Sequence, residues 1–323
     1  MKFNFHKNHQ LLFGFVFYGF VALSIIIAII PAINLNDIPP IEGSRPMNTN
    51  ELNGLNVYVS EGCLYCHTQQ VRPLASDQVF GRPSAPGDYA YLKPLDDLRM
   101  TPAVLGSERT GPDLSNIGNR QPSETWHYIH LYNPRAVVKS SIMQAYPWLF
   151  EIKDDIDPDD YVVSLPPDVA PRNGVVVAKQ DAKDLVAYLL YLRQTPIKAG
   201  NSVASRGKGT VPKEFNQGEK LYNSSCASCH QQKGEGIPGA FPPLVNSSVV
   251  NSDNADEHIK IVLFGLKGKV INGVQYASEM PPLGGNLSDT EISQIINYER
   301  TSWGNKGKTI SPDDVKRIRE AGK

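Results

Sequence analysis

The chain has 323 residues, enough for about two domains, with 41% apolar residues, 20% charged residues and a formal net charge of −1. This is an ordinary globular balance. The lack of a basic excess argues against a nucleic-acid binder, and a mean hydropathy of −0.30 excludes a polytopic membrane protein while permitting one span.

The N-terminus offers that span. Leu11 to Ile30 carries no charge and is rich in Phe, Val, Ile and Leu. About 20 helical residues at ~1.5 Å each reach roughly 30 Å, the thickness of a bilayer core. The run exceeds the ~7–15-residue apolar core of a secretory signal. Pro31-Ala-Ile-Asn-Leu-Asn also lacks an Ala-x-Ala cleavage pattern, so residues 11–33 read as an uncleaved transmembrane anchor. Lys2 and Lys7 precede it, and Asp37 and Glu42 follow. The positive-inside rule then places residues 1–10 in the cytoplasm and the rest outside. Residues 34–47 read as a tether.

A first domain is expected over residues 48–196. A helical pattern from Thr49 leads into Cys63-Leu-Tyr-Cys66-His67. Gln69 to Ile117, rich in Pro and Gly, reads as a long irregular excursion. Ser123 caps a short helix to Tyr132, which Asn133-Pro134 stops. Residues 151–160 hold six acids and one Lys. Asp155, Asp157 and Asp159 alternate as in a calcium loop, but the Gly and closing Glu of an EF-hand are missing, so a solvated loop is expected. Gln180 to Gln194 reads as a closing helix.

Residues 197–212 have the composition of a flexible linker. Residues 213–303 then repeat the plan. A helix from Phe215 runs into Cys226-Ala-Ser-Cys229-His230. A loop, Met280 and a closing helix follow, the last opened by the capping box Ser288-Asp-Thr-Glu. Residues 304–323 form a tail with a short solvated helix begun by Ser311-Pro312. The fold class expected is mainly α: one N-terminal transmembrane helix, then two cytochrome c-like domains with long irregular loops.

All four cysteines fall in the two Cys-x-x-Cys pairs, and each pair is followed at once by His. This is the attachment signature of c-type haem. Two thiols one turn apart reach the haem vinyl groups, and the next residue turns its imidazole to the iron. A redox dithiol does not need that His. Zinc would need both pairs together, and they lie far apart in the chain. Two covalently bound haem c groups are therefore expected.

The second axial ligand decides the chemistry, because a Met sulfur raises the potential as in electron carriers. Met280 is the only Met of the second domain, and His258 is the poorer alternative. In the first domain Met143 follows the Gly111-Pro112-Asp113-Leu114 loop, as Met280 follows Pro242-Pro243. Met100 precedes that loop, and His127 and His130 are further alternatives on an otherwise ordinary helix face. Gly111-Pro112 and Pro242-Pro243 are expected beside the proximal His. A Pro nitrogen has no proton to give, so they are expected to pack rather than bond.

Two stretches go beyond a generic cytochrome c. One is Glu61-Gly-Cys-Leu-Tyr-Cys-His-Thr-Gln-Gln-Val-Arg-Pro-Leu. The other runs from Tyr89-Ala-Tyr-Leu through Leu105-Gly-Ser-Glu-Arg-Thr-Gly-Pro-Asp-Leu, with Ser141-Ile-Met-Gln-Ala-Tyr-Pro-Trp-Leu. With the anchor they closely resemble the monohaem subunit II (CcoO/FixO) of cbb(3)-type cytochrome c oxidases, over roughly residues 8–196. The resemblance implies Cys63, Cys66, His67 and Met143 as haem ligands. It also implies electron delivery to a separate haem–copper catalytic subunit, alongside other small oxidase subunits. Residues 213–303 look like a class I cytochrome c domain, a departure from a family whose subunit II carries one haem. The function implied is that of a dihaem electron-transfer subunit, fed by a cytochrome donor and without catalytic residues of its own. The alternatives are a dihaem peroxidase-like enzyme and the carrier subunit of a nitric oxide reductase relative.

Overall fold

The computed structural model describes residues 4–5, 7–91, 102–195, 197, 217–268, 270–271, 273–276 and 278–322. Met100 and, Ile197 apart, the expected linker lie outside these residues. The described helices are α1 (His9–Ser24), α2 (Ile30–Asn36), α3 (Thr49–Ser60), α4 (Ile117–Arg120), α5 (Glu124–Tyr132), α6 (Pro134–Val137), α7 (Gln180–Tyr191), α8 (Gln217–Ser225), α9 (Ala227–His230), α10 (Asp256–Phe264), α11 (Asp289–Thr301) and α12 (Pro312–Ala321). The strands are β1 (Phe150–Lys153), β2 (Tyr161–Val162), β3 (Val175–Ala178), β4 (Val270–Ile271) and β5 (Val274–Gln275). The molecule is mainly helical, as the composition and periodicity lead one to expect.

Helices α1 and α2 are joined by a π-helical turn, Ile25–Ile29. Together they make an apolar helix, His9–Asn34, long enough to cross a membrane. Phe13, Phe15, Phe17 and Phe20 stand exposed along it. A helix satisfies its own backbone, so such a surface is stable in lipid. The tether is shorter than expected, because the helix runs to Asn36 and the following residues strap onto the first domain. Arg45 pairs with Glu51 and lies 5.2 Å over the Tyr191 ring, while the Tyr191 hydroxyl donates to the Arg45 carbonyl at 2.9 Å.

The two domains share one crossing. Helix α3 leads into the first haem motif and meets α7 at Gly54, where a Cβ would fall 1.9 Å from the Asp184 carbonyl oxygen and 2.7 Å from the Tyr188 Cβ. Helix α8 leads into the second motif and meets α11 at Gly218, where a Cβ would fall 2.3 Å from the Gln294 carbonyl oxygen and 3.0 Å from the Tyr298 Cβ. One turn on from each Gly stands a Tyr facing a Tyr. The Tyr58 and Tyr188 rings lie 5.5 Å apart, and those of Tyr222 and Tyr298 lie 5.4 Å apart. Glycine is required at both places because backbone approaches backbone. This is the internal duplication expected in plan, seen in detail.

Caps fix the helix starts. Ser123, Ser288 and Ser311 each accept from a backbone N–H of the first turn. Helix α12 is not solvated as expected. Its Val315 and Ile318 are buried with Ile259, Val262, Leu263, Ile292 and Ile296, and full burial of each contributes about 1.5–3 kcal/mol. Its Arg319 donates to the Gly284 and Leu287 carbonyls and pairs with Asp289.

The acidic segment is also more ordered than a solvated loop. Strand β3 pairs antiparallel with both β1 and β2, in the order β1-β3-β2. The Lys153 amine sits among Glu151, Asp157 and Asp160 at 3.5, 3.2 and 3.0 Å. These acids surround a lysine of their own chain.

The first core gathers Leu55 and Tyr58 of α3, Ile129 of α5, Leu185 of α7 and the β-sheet residues Phe150 and Val176. It does not stop at the domain edge. Ile237, Ala240 and Phe241, from the loop after the second motif, belong to it.

Candidate haem sites

In the first motif Gly62, in the left-handed conformation (φ 73°), turns the chain out of α3 into a tight turn over Cys63–Tyr65. The backbone N–H groups of Cys66 and His67 both donate to the Cys63 carbonyl. Both thiols and the imidazole are thus set on one turn. The loop that follows is clamped to them: Gly111 N–H donates to the Cys66 carbonyl at 2.8 Å, and buried Asp113 accepts from the Thr68 hydroxyl at 2.6 Å and from Gln70 N–H at 2.8 Å.

The second motif repeats this. His230 N–H donates to the Cys226 carbonyl at 3.0 Å, and the His230 carbonyl accepts from Gly236 N–H at 2.9 Å.

The two imidazoles are held alike. His67 Nδ1 lies 2.8 Å from the Pro112 carbonyl oxygen, and His230 Nδ1 lies 2.9 Å from that of Pro242. A carbonyl only accepts, so each Nδ1 carries the proton and donates. Each Nε2 is left with its lone pair for a metal. Burial lowers the pKa of both rings below the ordinary histidine value, which favours the neutral form that ligation needs. This corrects the expectation that the prolines pack rather than bond. The Pro nitrogen has no proton, but the Pro carbonyl accepts and sets the tautomer.

The four cysteines are unbridged. Burial pushes Cys63 and Cys229 up to about 12 and Cys226 well above its usual value. A redox-active pair relies on an exposed, lowered-pKa thiolate, so the surroundings of Cys63, Cys226 and Cys229 are the opposite of a dithiol catalyst's, while Cys66 is exposed. Among the described residues, no three His, Cys, Asp or Glu side chains gather into a metal cluster, as a zinc site shared by the two motifs would require.

A cavity of about 1090 Å³, counted to its open mouth, lies beside Cys226, Cys229 and His230. Its wall is largely apolar and includes Phe241, Leu244, Val250, Val262, Leu283 and Met280. Met280 is anchored by paired backbone hydrogen bonds with Leu266, at 2.8 and 2.9 Å. The alternative His258 also faces the cavity, but its Nε2 is taken by Glu299 at 2.8 Å. In the first domain Met143 is half-buried against the cluster that also receives Cys63 and Leu64, with its carbonyl held by Arg135 at 3.1 Å. His127 is engaged elsewhere, with Nε2 2.8 Å from the Gln121 carbonyl oxygen. His130 keeps a buried Nδ1 without a partner. Burial, with His127 and His67 nearby, pushes it down to about 3.

These residues fit covalently held haem: a thioether pair, an imidazole with a free Nε2, an apolar cavity, and orphaned buried polar atoms beside it, among them Ser278 Oγ. The cradle is tight at Gly111, where a Cβ would fall 2.3 Å from His67 Cε1. Gly111→Ala is therefore expected to turn the His67 ring and weaken its ligation. The check is the low-spin spectrum of the purified protein, which should lose intensity from the first site only. An unaltered spectrum would place the ring elsewhere.

Sequence reasoning missed Trp126. Its ring stacks on His130, with centroids 4.5 Å apart and planes at 12°, and its Nε1 donates at 3.0 Å to the carbonyl of Ser228, inside the second motif. Nothing local in the sequence marks it, because its partner lies in the other domain.

Residues 213–298 match the family model described as "Cytochrome C oxidase, cbb3-type, subunit III". Among curated relatives, cytochrome c-552 of Thermus thermophilus is 38% identical over 111 residues, 32% of this chain and 83% of that protein. The cytochrome c subunit of the quinone alcohol dehydrogenase of Gluconobacter oxydans is 32% identical over 149 residues, 43% of this chain. The cytochrome subunit of fructose dehydrogenase of Gluconobacter japonicus is 31% identical over 165 residues, also 43% of this chain. The chain spans only 30% and 33% of those two subunits. These likenesses and the paired sites make the protein a haem c electron-transfer subunit. Its residues 4–165 match the model described as "Cytochrome C oxidase, mono-heme subunit/FixO", and the chain belongs to that family.

Proposed function

We propose that this chain is the dihaem electron-transfer subunit of a cbb(3)-type haem–copper terminal oxidase. It is anchored by its N-terminal helix, with both haem domains on the periplasmic side. Electrons enter from a cytochrome donor at the second motif and leave from the first to the catalytic subunit. The observation that carries the reading is the matched pair of imidazoles, each with Nδ1 bound to a loop carbonyl beside its own Cys-x-x-Cys. Cys63 with Cys66, and Cys226 with Cys229, would hold the two haems, His67 with Met143 and His230 with Met280 being the axial ligands. When bound, the haem supplies a one-electron couple at iron, whose potential a Met ligand raises. The chain's part is to fix each imidazole tautomer, exclude water with an apolar wall and hold the two sites together.

A second reading, the cytochrome subunit of a membrane dehydrogenase, is favoured by the likeness to the alcohol dehydrogenase subunit. Purification in mild detergent separates the two. A co-isolating multispan subunit with haem b and copper is expected. A co-isolating quinoprotein or flavoprotein dehydrogenase would replace the oxidase reading.

A further inference from the structure

We propose that Trp126 and His130 of α5 couple the two haem-attachment motifs, by docking the second domain on the first and by lying on the path an electron takes between them. This rests on the carrier reading and names the device inside it. The Ser228 carbonyl, between the two cysteines of the second motif, accepts from Trp126 Nε1 at 3.0 Å. The indole stacks on His130, a buried imidazole of the first domain whose Nδ1 has no hydrogen-bond partner. These contacts tie the attachment turn of the second motif to an aromatic pair on a helix of the first domain.

The seam around it is closed. Gln231 Nε2 donates to the Val137 carbonyl at 3.3 Å. Gln121 Oε1 lies 3.9 Å from Cys229 Sγ, and Gln121 with Pro122 forms part of the second cavity's wall. Ile237, Ala240 and Phe241 enter the first domain's core. A buried indole N–H needs an acceptor, and this one finds it in the other domain, on the attachment turn itself.

A packed route through aromatic rings and one hydrogen bond conducts an electron better than a water-filled gap of the same span. The transfer balances within the chain: one electron leaves one iron and reaches the other, and no bond is made or broken.

The test uses the purified full chain with both haems, in detergent and without partners. A flash reduces the sites partially, and their re-equilibration is followed by absorbance. Trp126→Ala is expected to slow re-equilibration roughly tenfold or more, the factor that loss of about 1.4 kcal/mol of docking produces, with both haem spectra unchanged. Trp126→Phe, which keeps a ring but loses the N–H, is expected to slow it less. If the Ala variant does not accumulate, Trp126→Phe and Gln231→Ala carry the test. Slowing in either supports the relay, and wild-type rates in both overturn it. Wild-type re-equilibration in a folded Trp126→Ala overturns it directly. A chain that holds a single haem overturns the dihaem reading on which the relay rests, so the two failures are distinguishable.

Discussion

Gly54→Ala is expected to destabilise the first domain by about 2 kcal/mol, although alanine is the better helix former. Two effects oppose each other. Replacing a helical Gly by Ala gains about 1 kcal/mol in helix propensity. Against this, the new Cβ would stand 1.9 Å from the Asp184 carbonyl oxygen and 2.7 Å from Tyr188 Cβ. Neither is the far end of a flexible side chain, so α3 and α7 must separate. Overpacking of well-filled cores costs about 1–3 kcal/mol, and a clash with main chain belongs at the top of that range. Separation would also part Tyr58 from Tyr188 and loosen the Tyr188 hydroxyl from Gln69, now 3.0 Å away. For a domain of this size a net loss of about 2 kcal/mol lowers Tm by roughly 4–8 °C. Gly14→Ala, with nothing within 4 Å, is the control and should leave Tm alone. Thermal melts by circular dichroism on both variants decide it. A Gly54→Ala protein as stable as the parent would mean that the helices do not cross there.

What was legible in the sequence was local. Each Cys-x-x-Cys-His signals itself within five residues, and the caps at Ser123, Ser288 and Ser311 lie within one turn of the N–H groups they serve. The anchor is a run of composition. What stayed hidden depends on distant partners. Strands β1 and β2 are four and two residues long, too short for alternation to register, and they sit in a segment whose acids read as a loop. They become strands because β3 pairs with both. The burial of α12 was within reach: Val315 and Ile318 are spaced i, i+3 on one face, which is the signal of a packed helix. The carbonyls of Pro112 and Pro242 carry no mark in the sequence, because every residue has a carbonyl and only the fold brings these two to an imidazole. The contact of Trp126 with Ser228 joins residues far apart in the chain, and one sequence carries no local mark of it.

Replacing the two methionines separately is expected to open one haem each, and so to assign the axial ligands. Met280→Ala removes the one methionine that, among the described residues, lines the cavity beside the second motif. His258 has its Nε2 held by buried Glu299 but a buried Nδ1 without a partner, so the double variant Met280→Ala/His258→Phe removes both candidates. The variant should bind one equivalent of carbon monoxide per chain, and its second site should fall in potential by a sizeable part of the ~0.8 V range that axial ligands set. Met143→Ala should do the same at the first site. There the competing imidazoles differ: His127 is tied to the Gln121 carbonyl, whereas His130 has a buried Nδ1 free of partners. The double variant Met143→Ala/His130→Phe therefore discriminates. If His130 moves in as a ligand when Met143 is lost, the single variant stays six-coordinate at a lowered potential and only the double variant takes up carbon monoxide. Met100→Ala should leave both sites six-coordinate. Carbon monoxide binding to Met100→Ala but not to Met143→Ala or the double variant would transfer the ligand role to Met100. Burial of His130 favours its neutral form, so this contest between sulfur and imidazole should not change between pH 6 and 8.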